Sequence, residues 1–122
     1  MSPFRDLRIL VVEDEGLVAM LTEDMLLDLG CDVRASAASV QQALRAIEAG
    51  TFDLALLDVN LRGETVFPVA DVLLEQGVPI VFTTGYGAQG IREDLRAHPI
   101  VSKPFAADQL ARALQSALKS AE

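Results

Sequence analysis

Residues 51–64 read TFDLALLDVNLRGE, and this stretch decides the fold. Leu54, Ala55, Leu56 and Leu57 form a continuous apolar run, suited to one strand buried on both faces. The run stops at Asp58 and gives way to Val59, Asn60, Leu61, Arg62, Gly63 and Glu64. A carboxylate at the tip of a buried strand is costly unless it is paired. In an open parallel sheet, the carboxyl ends of the strands are also where ligands bind. Taken alone, Asp58 better suits an ordinary solvated loop, so the rest of the chain has to decide.

Toward the N-terminus, Arg8–Val12 reads as a first buried strand ending in Glu13, Asp14 and Glu15. A helix follows from Gly16, with Val18, Leu21, Met25 and Leu29 as its apolar stripe and Gly30 as a left-handed cap. Asp32–Ala35 is a short second strand. Ser39 and Gln42 have capping-box spacing before a second helix, whose stripe is Val40, Ala43, Leu44 and Ile47 and which Gly50 closes.

Toward the C-terminus, a helix is expected over Phe67–Gln76, with Pro68 tolerated in its first turn and Gly77 after it. Val78–Thr83 is a fourth strand, leading into Thr84 and Gly85. Tyr86–His98 holds two glycines and only Ile91 and Leu95 as apolar anchors, so it can form a short helix at best. Ile100–Ser102 is a fifth strand, followed by Lys103, Pro104 and Phe105. A last helix over Ala107–Lys119 buries Leu110, Ala113, Leu114, Ala117 and Leu118; Ala106 is a poor N-cap for it.

Five apolar strands alternating with five helical segments predict an α/β fold, a doubly wound five-stranded parallel sheet. The flavodoxin-like order 2-1-3-4-5 suits five strands and sets the ends of strands 1 and 3 side by side.

At 122 residues the chain, 1–122, is expected to be one domain. Lys plus Arg total 10 against 18 Asp plus Glu, a net charge of −8 that disfavours nucleic acid and acidic membranes. The one cysteine, Cys31, rules out an intrachain disulfide and suits a reducing compartment. With no signal-like or membrane-length apolar segment, a cytoplasmic location is expected.

The strand ends can now be taken together. Glu13 and Asp14, Asp58, Thr84 and Lys103 all fall on one edge of the sheet. Three carboxylates in a small volume raise one another's pKa unless a cation intervenes, and Mg²⁺ is the hard oxygen-seeking ion at hand. A hydroxyl and an ammonium opposite them suit the oxygens of a phosphoryl group. Asp58 would then act as a nucleophile forming an acyl-phosphate, with catalysis by positioning and electrostatics.

With these residues in place, the chain resembles the receiver domain of a two-component response regulator from Leu7 to about Ser120. The resemblance implies that Asp58 is the phosphoacceptor and that Glu13 and Asp14 hold Mg²⁺. It gives Asn60 the place whose backbone carbonyl completes the metal shell, Thr84 that of the switch hydroxyl, and Lys103 that of the family lysine, with a cis Lys103–Pro104 bond. It also implies a histidine kinase or phosphotransfer protein as donor, and partner binding on the face of strand 4, helix 4 and strand 5. The chain departs from most receivers at Arg62, where they carry Pro, and at Ile100, where they carry an aromatic. Phe82-Thr83-Thr84-Gly85-Tyr86 instead resembles a Phe-Ala-Thr-Gly-Tyr-like subfamily associated with HWE-type kinases, and Tyr86 is the expected switch aromatic. The downstream target is not legible. The chain ends soon after its last helix, which fits a stand-alone receiver or one cut from a longer regulator or hybrid kinase.

Two rivals share the architecture. A flavin mononucleotide binder needs a phosphate-cradling loop where Glu13-Asp14-Glu15 stands. A Mg²⁺-dependent phosphohydrolase generally carries its Asp after the first strand and needs room for a substrate cap.

Overall fold

The computed structural model describes residues 3–120. Five parallel strands form the sheet: β1 (Arg8–Val12), β2 (Asp32–Ala37), β3 (Leu54–Asp58), β6 (Ile80–Thr84) and β7 (Ile100–Ser102), in the order β2-β1-β3-β6-β7. Counting only these strands, that is the expected order 2-1-3-4-5. Helices α1 (Gly16–Asp28) and α4 (Ala107–Ser120) cover one face, and α2 (Val40–Ala49) and α3 (Phe67–Glu75) the other. Among the described residues no helix is long and apolar enough to cross a membrane.

Strand side chains alternate between these two layers. Ile9, Val11, Leu54, Leu56, Val81 and Val101 pack under α1 and α4; Leu10, Val12, Ala55, Leu57, Ile80 and Phe82 pack under α2 and α3. At the end of the sheet away from the carboxyl tips, Arg8 staples β1 to the start of β3. Its guanidinium reaches both Asp53 oxygens at 3.0 Å, and its backbone N–H donates to Asp53 at 2.8 Å.

Helix ends follow local chemistry. Ser39 Oγ accepts the Gln42 N–H at 3.1 Å while Gln42 reaches back to the Ala38 N–H at 2.8 Å. Gly30 (φ 96°) and Gly77 (φ 77°) end α1 and α3 in paired reverse-turn hydrogen bonds, Cys31 N–H to Leu26 and Val78 N–H to Leu73. Ala106 provides no side-chain cap, but Gln109 accepts the Ala106 N–H at 2.7 Å and supplies half of one. Cys31 is buried, and burial raises its thiol pKa to about 11.

Three expectations are corrected, and one element is new. There are four α-helices among the described residues, not five helical segments: 86–98 forms two 3₁₀ turns, Gly87–Gly90 and Glu93–Leu95. Of the expected stripe of α1, Met25 and Leu29 pack half-buried against the core and Val18 is half-buried, but Leu21 is exposed. Ala19, Thr22 and Leu26 are buried, while Leu17, Met20, Leu21 and Leu27 are exposed. β2 runs on to Ala37 because Arg34 bulges out between the Ile9–Val33 and Leu10–Ala35 pairs. Lastly, a small hairpin follows β3, pairing β4 (Asn60–Leu61) with β5 (Glu64–Thr65).

Candidate functional site

The alternation that builds the core also builds the site. Glu13, Asp58 and Lys103 each stand two residues beyond a core residue of the α1/α4 face: Val11, Leu56 and Val101. Their side chains therefore leave the ends of β1, β3 and β7 on the same side of the sheet and meet. Lys103 Nζ donates to Glu13 Oε1 at 3.1 Å and to Asp58 Oδ2 at 3.2 Å. Glu13 Oε2 accepts the Glu15 N–H at 3.1 Å. Ligand oxygens of Glu13, Asp14 and Asp58 all lie within 4.8 Å of one another.

Electrostatics follow from this crowding. Burial raises the Glu13 carboxyl to about 7; the Glu15 amide and Lys103 oppose the rise and Asp58 adds to it. Burial works against the Lys103 charge, but Glu13 and Asp58 outweigh it and hold the ammonium above the usual lysine value. A buried acid cluster of oxygen donors, held together by an internal ammonium, fits a hard divalent ion.

Above the cluster opens a cleft of about 680 Å³, lined in part by Asp14, Asp58, Asn60, Thr84, Tyr86 and Lys103. Every residue expected at the site from the sequence thus faces this cleft or, for Glu13, lies beneath it against Lys103. Thr84 is buried; its Oγ1 accepts the Tyr86 N–H at 3.0 Å and its carbonyl accepts the Lys103 N–H at 2.8 Å. Tyr86 is 77% exposed, so the expected switch aromatic stands out in solvent here. The Lys103–Pro104 bond is cis.

The hairpin forms the cleft's near rim. Arg62 (φ 51°) and Gly63 (φ 88°) are its two central residues, both at the positive φ that a type I′ turn requires. Asn60 Oδ1 accepts the Gly63 N–H at 3.1 Å, and Leu61 is buried beneath. From this turn Arg62 Nε comes within 3.5 Å of Asp14 Oδ2. Sequence reasoning flagged Arg62 only as a departure; Asn60 followed by Arg62-Gly63 was the available turn signal.

The far rim is the segment after β6. Ile91 and Leu95 are buried, as their isolation in the sequence suggested. Arg92, which the sequence did not single out, ties the segment to α3 through both oxygens of Asp71, at 2.6 and 3.1 Å. Arg92 also pairs with Asp94 and lies 5.7 Å from the centre of the Phe67 ring.

The sequence profile of the response regulator receiver domain matches residues 9–115. The solution structure of SdrG from Sphingomonas melonis Fr1 superposes with a TM-score of 0.84 at 41% identity, covering 93% of this chain and 97% of that one. The receiver domain of PhyR from Erythrobacter litoralis gives 0.85 at 30% identity, covering 94% and 92%. The transcriptional regulatory protein PdtaR of Mycobacterium tuberculosis is 28% identical over 115 residues, which span 91% of this chain and 56% of PdtaR. Against NatR of Bacillus subtilis, at 31% identity, the matched residues span 66% of this chain and 36% of the relative.

Proposed function

The chain belongs to the response regulator receiver family of two-component signalling, and on that premise we propose that Asp58 accepts a phosphoryl group from a phosphohistidine donor. The observation that carries the proposal is Lys103 bridging Glu13 and Asp58, with Asp14 beside them and Thr84 at the next strand end. An Asp58 oxygen attacks phosphorus as the phosphorus–nitrogen bond breaks, and the imidazole leaves with that electron pair. Lys103 stays to neutralise the incoming oxygens, and the Thr84 hydroxyl is free to donate to one of them while it still accepts from Tyr86. Mg²⁺, held by Glu13, Asp14, Asp58 and the Asn60 carbonyl, would screen the repulsion between carboxylate and phosphoryl group.

Receiver domains are signalling modules, and the output proposed here is a movement of Thr84 that carries Gly85 and Tyr86 with it. Residues 86–98 and the neighbouring β7 edge would then offer a changed surface to a protein target. The donor is read as a histidine kinase of the HWE class, or a phosphotransfer protein loaded by one, on the strength of Phe82-Thr83-Thr84-Gly85-Tyr86. A groove between α1 and the Lys103–Phe105 turn, lined by Val18, Leu21 and Met25, opens beside the acceptor and suits a docking donor.

Phosphotransfer from a panel of kinases and from acetyl phosphate tests this. Wild-type protein takes label only with a divalent ion present, and Asp58→Asn takes none while melting as a folded protein. Undiminished labelling of Asp58→Asn would place the phosphoryl group elsewhere.

A further inference from the structure

We propose that Arg62 is a resident counter-ion of the cation site, holding Asp14 in the metal-free protein and leaving it when a divalent ion binds. The proposal rests on Glu13, Asp14 and Asp58 being that site. Three carboxylates converge there, and the protein sets two cations against them. Lys103 lies between Glu13 and Asp58 at 3.1 and 3.2 Å. Asp14, whose side chain is 12% exposed, is paired with Arg62 at 3.5 Å.

The two cations sit in contrasting settings. Lys103 is enclosed by the groups it serves. Arg62 projects from a turn and is 80% exposed. An exposed pair of this kind is weak and screened by salt, so its guanidinium can swing away at little cost.

Backbone geometry puts Arg62 in this role. The turn is pinned by the Asn60–Gly63 hydrogen bond, and Asn60 is itself a proposed ligand through its carbonyl. One short hairpin thus presents a proposed metal donor and the cation that opposes the metal. The consequence is a site tuned toward weaker divalent-ion binding than its carboxylates alone would give.

Calorimetric titration of the full chain with MgCl₂ tests the competition without any phosphotransfer. Arg62→Gln should bind Mg²⁺ about two- to fivefold more tightly than wild type at low ionic strength, the range expected of an exposed pair. Arg62→Asn, a residue suited to the left-handed backbone, should show the same gain. The gap should close as salt is raised. Equal or weaker Mg²⁺ binding by both variants, with wild-type binding intact, would overturn the counter-ion role. Wild type that binds no Mg²⁺, or Asp14→Asn that binds it as wild type does, would instead bring down the metal site itself, and the role of Arg62 with it.

Discussion

The chain leaves two neighbouring strand ends, those of β3 and β6, in opposite manners. After β3 it turns back at once through a paired hairpin, closed by the Val66 N–H to Val59 carbonyl bond at 3.1 Å and anchored by buried Leu61. After β6 it unwinds into two 3₁₀ turns and is secured between them by Arg92 on Asp71. The first excursion fixes the positions of Asn60 and Arg62 beside Asp58. The second leaves Gly85–Gly90 largely exposed to solvent, a character that moving segments share. A phosphoacceptor site needs both: ligands that hold still, and a neighbour that can respond.

Gly63 and Gly87 give the largest test of that contrast. Both sit at positive φ (88° and 67°), and a Cβ at either meets nothing within 4 Å, so valine would add backbone strain alone. Gly63→Val should lower stability by about 1–2 kcal/mol, the cost of a left-handed side-chain residue. Gly87→Val should cost clearly less, because its turn can relax. Equal losses in denaturant melts would mean that the two loops are equally stiff.

A second effect concerns the fixed half. Glu13 rises from its ordinary 4.5 to about 7 in the folded protein, so between those values the native state binds more protons than the unfolded chain. Glu13 therefore makes the metal-free protein lose stability as pH rises from about 4.5 to 7. Glu13→Gln should flatten that slope in parallel melts, and Mg²⁺, which favours the carboxylate, should flatten it in wild type. An unchanged slope in the glutamine variant would show that Glu13 titrates normally.

The smallest concerns the movable half. Arg92→Ala removes an exposed clamp, so hydrogen exchange across 87–96 should quicken a few-fold while β3 amides keep their protection. Unchanged exchange there would assign the hold on this segment to Ile91 and Leu95 alone.

The strands were legible because each buried one is a nearly unbroken apolar run, and the site was legible because its residues end those runs. Capping at Ser39 and the glycines at 30 and 77 were equally local, and readable for that reason. α1 misled because Leu17, Val18, Ala19, Met20 and Leu21 are all apolar, which leaves the period without a unique face. The hairpin strands are two residues each, too short for alternation to register. Arg62 on Asp14 and Arg92 on Asp71 join residues 48 and 21 positions apart, and no local pattern announces such pairs.

The alternation along β3 also makes its length a parity count. Arg8 on Asp53 fixes where the count begins, and Asp58 faces Lys103 only because an even number of steps separates it from Leu56 and Leu54. One residue inserted between Asp53 and Asp58 would turn the carboxylate toward the α2/α3 face and strand Lys103, although no interior side chain of the strand touches the chemistry. Two inserted residues would restore its side but push it past Glu13. A gain or loss of one codon there should thus silence the protein as fully as replacing Asp58.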